Sequence, residues 1–312
     1  MNKRIAWVDN AKSIGVLLVI IGHFLGFTNF NIINNIIYSF HVPLFFILSG
    51  YVYKLKPKIS IIKKFKKLII PAYLYIYIYI AFRFIFDKNY IDSFEKFLKN
   101  NTYILGRING NTPTWYFICL FEIYVFQYII NKLFGDKANK CIGILAIVFT
   151  FYCYINKIQI NYLGTNKMIF GYFYFVFGTL FVKNEKIENK KLIIITLFFL
   201  FFSILNGKCT FYGFVFNNIL IYTIASILGS IIVIEISKRI NISNLNFLSS
   251  NSIFIICSHK FFIFGYELLN NLFTINIFIN DILCIIVVVL IILFYKYISE
   301  QYGRFYENRR IR

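Results

Sequence analysis

Ten apolar runs, most of them close to the length a helix needs to cross a bilayer, constrain this chain more than any other feature. They occupy residues 5–27, 36–53, 68–86, 115–131, 141–155, 168–182, 192–205, 211–236, 252–269 and 278–295. A spanning helix takes about 20 mostly apolar residues, with a working range of about 17–25. The fifth, sixth and seventh runs are therefore expected to extend a few residues past these limits. Apart from 87–114 the connections are brief, and 1–312 reads as a single integral-membrane domain. Composition agrees: 59% of the 312 residues are hydrophobic and only 15% are charged. An ordinary soluble domain is about 25% charged, so the polar surface of a soluble enzyme is missing. The expected fold class is an all-α polytopic membrane protein of about ten transmembrane helices.

The formal net charge is +20, and its distribution gives an orientation. With the N-terminus inside, the inner connections hold 23 of the 33 Lys and Arg residues and the outer ones seven. That asymmetry is the positive-inside pattern; it predicts both termini in the cytoplasm and a multi-pass protein of the cell's inner (plasma) membrane. Lysines facing anionic lipid headgroups account for the charge, and nucleic acid is not an expected partner. The first run carries Lys12 and His23 and lacks a small-residue cleavage site, so it is expected to stay as a span. Cys119, Cys141, Cys153, Cys209, Cys257 and Cys284 form no C-x-x-C pair and read as small buried apolar residues rather than a metal site or a disulfide frame. The external stretch 87–114, with Asp87, Asp92, Glu95 and Asn109-Gly-Asn-Thr-Pro113, reads as a lid over the membrane face. The Ile/Asn/Lys-rich usage resembles coding from an AT-rich, bacterial genome.

Ionisable groups inside a bilayer are costly, and each marks a candidate functional position. Here they are Asp9, Lys12, His23, His41, Arg83, Glu122, Glu235, His259, Lys260 and Glu267, including all three histidines. Asp9 and Lys12 are three apart and neighbours on one helix face. Lys12 and His23 are eleven apart, which returns to nearly the same face roughly 16 Å higher. Asp9 reads as an N-terminal cap or as an ion-pair partner of Lys12, and Lys12 itself as an inner cation or a snorkelling side chain. The second run contains Phe40-His-Val-Pro-Leu-Phe-Phe-Ile-Leu-Ser-Gly50. Entered from outside, it sets His41 at the depth of His23, where the two can share a cavity. Pro43 suits a helix first turn and Ser49-Gly50 suits close helix packing. Phe45 and Phe46 read as lipid or core packing.

The inner cluster Lys63-Lys-Phe-Lys-Lys67 is either a headgroup anchor or a phosphate-binding site for a cytosolic donor. Trp115 fits an aromatic belt. Glu122, two turns deeper, requires a cation such as Arg83, a histidine, or a proton. His259 is either a cavity wall or one end of a helix–helix hydrogen bond.

Asp9, Lys12 with ten residues before His23, and the stretch from His41 to Gly50 resemble acyltransferase family 3, the integral-membrane O-acyltransferases. The wording around His41 is most similar to the branch described as fucose 4-O-acetylase-like. The basic cluster before Pro71, Trp115-Tyr-Phe117, Phe175-Val-Phe-Gly178 and Ser252 through His259 follow in the family's order. The resemblance implies acetyl-CoA or another acyl-CoA as donor substrate with no bound cofactor, a carbohydrate hydroxyl as acceptor, and His23 as the catalytic histidine. Lys12 matches a position usually held by arginine. The family's two inner arginines, three apart, correspond to Lys64 and Lys67 or to Lys63 and Lys66, which keeps phosphate attraction and loses the bidentate fork. In the implied mechanism His23 deprotonates a surface-polysaccharide or lipid-linked sugar hydroxyl that attacks the thioester, with Asp9 orienting Lys12. His41, Ser49, Trp115, Glu122 and His259 fall on the acceptor side or cavity wall. Ser49 reads as packing rather than as a nucleophile. The competing reading is a flippase for a lipid-linked sugar with histidine and glutamate proton relays; the absence of repeats and broken helices speaks against it.

Overall fold

The computed structural model describes residues 5–58, 60–86, 102–103, 106, 108, 110–160, 162–272 and 277–310. Asp87, Asp92, Glu95 and Asn109 of the expected lid, with Lys3 and Arg4, lie outside the described residues. The helices are α1 (Ala6–Leu25), α2 (Asn31–Tyr38), α3 (His41–Leu55), α4 (Ile61–Phe86), α5 (Trp115–Phe134) and α6 (Asn139–Ile155). They continue as α7 (Thr165–Phe181), α8 (Asn189–Asn206), α9 (Ile219–Ser237), α10 (Asn246–Ser250), α11 (Ser252–Leu272) and α12 (Ile277–Arg310). Each of the ten apolar runs contains a helix, and those at 36–53 and 211–236 also contain a part that is not helical. Eight helical segments are long and apolar enough to cross a membrane, and α6 and α7, at 17 residues each, sit at the lower limit. The protein is an all-α polytopic membrane protein.

Burial sorts the spans into a centre and a rim. Just over half of the most apolar window is buried in α1, in the α2–α3 segment and in α9, against 17% in α8 and α12. Helix α1 packs against α3, α9, α10 and α11. The closest approach is between α3 and α7. A Cβ on Gly50 would lie 1.9 Å from the Phe175 carbonyl oxygen, and one on Gly178 would lie 2.0 Å from that of Ile47. The two helices touch backbone to backbone through reciprocal glycines, the small-residue packing that replaces the hydrophobic effect inside a bilayer.

Four expectations are corrected. The second run is helical from Asn31 but breaks at Ser39 and Phe40, where the Ser39 hydroxyl bonds the Ile36 carbonyl at 2.7 Å. The basic cluster is not loop: Ser60 caps a helix starting at Ile61, and Phe65–Ile69 form a π-helical turn. The eighth span begins at Ile219, not 211. Residues 210–215 close a short bridge, Thr210 to Val215, and Asn218 caps the helix by accepting from the Leu220 and Ile221 amides. Polar Asn217 and Asn218 and the left-handed Phe214 (φ 52°) stop the helix from starting earlier. Among the cysteines, Cys141 is exposed while the other five are buried, and none is bridged.

Candidate active site

Two chambers lie along α1 and α3. The one at the lysine-rich end has a volume of about 160 Å³ and is lined by Lys12 of α1, Phe45, Ser49 and Val52 of α3, Lys64 and Lys67 of α4, Tyr116 and Tyr124 of α5, and Ser252 and Ile256 of α11. The π-helical turn separates the basic cluster into two faces. Lys64, half-buried, and Lys67, exposed, line the chamber, while the exposed Lys63 and Lys66 do not. The Lys64 ammonium sits 3.6 Å from the centre of the Tyr124 ring, a cation–π contact that holds it against the wall. Ser49 lines this chamber together with Tyr116 and Tyr124. It is a polar group in the wall.

The second chamber, about 200 Å³, lies at the opposite end. His23, Tyr38, His41, Phe45, Trp115, Tyr116, Thr210, Phe211, Tyr212 and Ile256 are among the residues that line it. His23 and His41 do share one cavity, at the end of α1 away from Lys12. Phe45, Tyr116 and Ile256 belong to both chambers and form the partition between them. The Phe45 ring tip lies over Gly15, whose Cβ would come within 2.8 Å of it. Phe45 is therefore a wall of the site rather than simple packing; Phe46, buried beside Tyr116 and Phe211, is packing.

The imidazoles are held by local geometry. His41 Nδ1–H donates to the Ile37 carbonyl at 2.8 Å, across the break between α2 and α3. His259 Nδ1–H donates to the Ile255 carbonyl at 3.2 Å. A carbonyl only accepts, so both neutral rings carry their lone pair on Nε2. His259 is fully buried, its Nε2 has no hydrogen-bond partner, and its ring centre lies 5.0 Å from that of His23. It stands behind His23 instead of forming the interhelical bond considered from sequence. The Tyr38 hydroxyl lies 3.3 Å from His23 Nδ1, and the Tyr38 ring meets His41 edge-on with centres 4.9 Å apart.

Other flagged residues are placed elsewhere. Asp9 lines neither chamber; fourteen helical residues separate it from His23, roughly 21 Å. Glu122 also lies outside both linings, with Lys167 as its charged neighbour, while Arg83 and Lys260 each approach Glu267 at 3.8 Å. Glu235 accepts from Lys238 at 2.5 Å, from Arg239 at 2.6 Å and from the Ile187 amide at 2.8 Å, which ties the 183–188 connection to α9. Arg83, Lys260, Glu267 and Glu235 are engaged in these ion pairs, whereas one carboxyl oxygen of Glu122, Oε2, is buried with no hydrogen-bond partner. Sequence reasoning missed Tyr38, Tyr124, Phe211, Tyr212 and Ile256. The one available signal was Tyr38 itself, a phenol three residues before His41 in an otherwise apolar run.

A chamber lined by lysines and a chamber lined by histidines thus lie next to each other within one helical bundle. Residues 5–297 match the model of the acyltransferase domain of acyltransferase family 3. The chain belongs to that family and is a multi-pass membrane acyltransferase. No curated protein and no solved structure matches it.

Proposed function

We propose that this protein moves an acyl group, acetyl in the first instance, from acyl-CoA to a hydroxyl of a cell-surface polysaccharide or its lipid-linked precursor in the bacterial plasma membrane. The observation that carries this reading is the pair of chambers with a common partition. Lys12, Lys64 and Lys67 face one, His23 faces the other, and Phe45, Tyr116 and Ile256 line both. The lysines attract the phosphates of a donor arriving from the cytoplasm, each as a point charge. The thioester on its slender arm reaches the partition, and the sugar hydroxyl meets it from the histidine side.

The chemistry follows from the side chains. A sugar hydroxyl is a weak nucleophile at neutral pH, and a positioned imidazole is the usual remedy. In the base-competent tautomer His23 Nδ1–H donates to the Tyr38 oxygen, which leaves Nε2 to take the hydroxyl proton. The oxygen attacks the thioester carbonyl, and the tetrahedral adduct collapses to the ester with the CoA thiolate leaving. The imidazolium returns its proton to that sulfur. Asp9 serves Lys12 from one turn below and touches no reacting atom. The sequence around His41 makes a fucose 4-O-acetylase-like acceptor the first to try. The test is CoA release by the purified protein in lipid, read with mass spectrometry of the acceptor glycan. His23→Ala abolishes both release and the acyl mass. Acceptor movement without CoA release would mark a flippase and end the proposal.

A further inference from the structure

A third cavity, about 160 Å³, opens at the histidine end, and the mechanism above does not use it. Gly106, Gln159, Gly164, Lys167, Tyr212 and Phe214 are among its walls. Tyr212 also lines the histidine chamber, so the two spaces share this side chain as a wall. The cleft is built from residues of three connecting segments together with Asn166 and Lys167 in the first turn of α7.

The backbone around it is strained, and the strain is local to it. Among the described residues the non-glycine positions with left-handed φ are Tyr103 (61°), Lys157 (55°), Leu163 (48°) and Phe214 (52°). All four lie in the three segments that make the cleft, as do the wall glycines Gly106 (63°) and Gly164 (58°). Such conformations cost free energy for residues with a Cβ and persist where surrounding structure enforces a particular shape. Lys167 supplies the enforcement. It is 8% exposed, its ammonium donates to the Gly106 carbonyl, and it lies 4.6 Å from the centre of the Tyr212 ring and 5.5 Å from that of Trp115. The cation is consumed as a strut joining the first turn of α7 to the connection at Gly106, with Glu122 as its acidic neighbour, and so it does not set the cleft up for an anion.

We infer that this cleft is a second saccharide subsite: it holds the sugar unit next to the one being acylated, and the acceptor therefore spans at least two sugar units and approaches from the face opposite the lysines. Aromatic walls with a few polar groups at the rim match the apolar face and peripheral hydroxyls of a pyranose ring. The exposed Gln159 offers an amide at the rim. The inference rests on the proposed transfer to a carbohydrate and names the acceptor's minimum size and side.

The experiment is an array of immobilised mono- to hexasaccharides, probed with the full chain in lipid nanodiscs. Wild type retains members with two or more sugars over the corresponding monosaccharides. Gln159→Trp, which fills the cleft from its rim, lowers that retention about tenfold or more, the equivalent of losing one seated ring. Gln159→Ala, too small to crowd its neighbours, lowers it by a smaller factor. Equal retention of monosaccharides, no saccharide retained, or retention untouched by both substitutions would overturn the inference. The array reads binding without turnover, so its outcome and that of CoA release by His23→Ala stand or fall separately.

Discussion

The lysine chamber and the histidine chamber share a partition and are built on different plans. The first is walled by helix faces alone: α1, α3, α4, α5 and α11 contribute its charged and polar side chains directly from spans. The second is walled by α1, α2 and α3, by Trp115 and Tyr116 at the start of α5 and Ile256 of α11, and in addition by connecting segments, Thr112 and Pro113 before α5 and Thr210 to Tyr212 before α9. A site made of helix faces is held by the bundle and suits a substrate that does not vary. A site closed in part by connections keeps the same base while that part of its wall is free to differ. The proposed donor and acceptor fall on these two plans in that order.

Substitutions on either side of the partition test whether the two plans carry two roles. The largest effect is expected from His23→Ala, with kcat falling about a thousandfold, within the range for a lost general base, and the donor KM nearly unchanged. A fall in donor affinity with intact kcat would reverse the assignment of the chambers. Next comes the double change Lys64→Ala with Lys67→Ala, for which the donor KM rises about a hundredfold, each lysine contributing about one charged hydrogen bond. Lys63→Ala with Lys66→Ala is its control and leaves the donor KM within about twofold, as expected for solvated charges that do not line the chamber. Steady-state CoA release at varied donor concentration reads all of these. Phe45→Ala joins the chambers, and acyl-CoA hydrolysis without acceptor rises about fivefold as water crosses the partition. The smallest effect is Tyr38→Phe, which lowers kcat about threefold by removing one neutral hydrogen bond to His23. A single-turnover experiment separates it from product release.

Much of this arrangement was legible in the chain because it follows from periodicity and charge. Lys12 and His23 fall at opposite ends of one helix by counting residues, and His41 reaches the depth of His23 because the second run enters from the other side. What periodicity could not show is local backbone geometry. A π-helical turn at Phe65–Ile69 chooses Lys64 and Lys67 over Lys63 and Lys66, and both pairs have identical spacing. The break at Ser39–Phe40 turns the His41 ring toward Ile37. The early end assigned to the eighth span came from reading Phe211, Tyr212 and Phe214 as membrane residues, when they are aromatic walls of an outer connection. Lys167, in the first turn of α7, carries no sequence signal, because burial of a single lysine leaves no trace in hydropathy.

The reciprocal glycine crossing of α3 and α7 has a consequence for which donors the protein accepts. Two helices in backbone contact cannot slide past each other without first parting, so α3 behaves as a ruler of fixed graduation. Ser49 marks one end and His41 the other, eight residues or about 12 Å apart at 1.5 Å per residue. An activated ester without a tether of that reach stops at the first mark, however reactive its carbonyl.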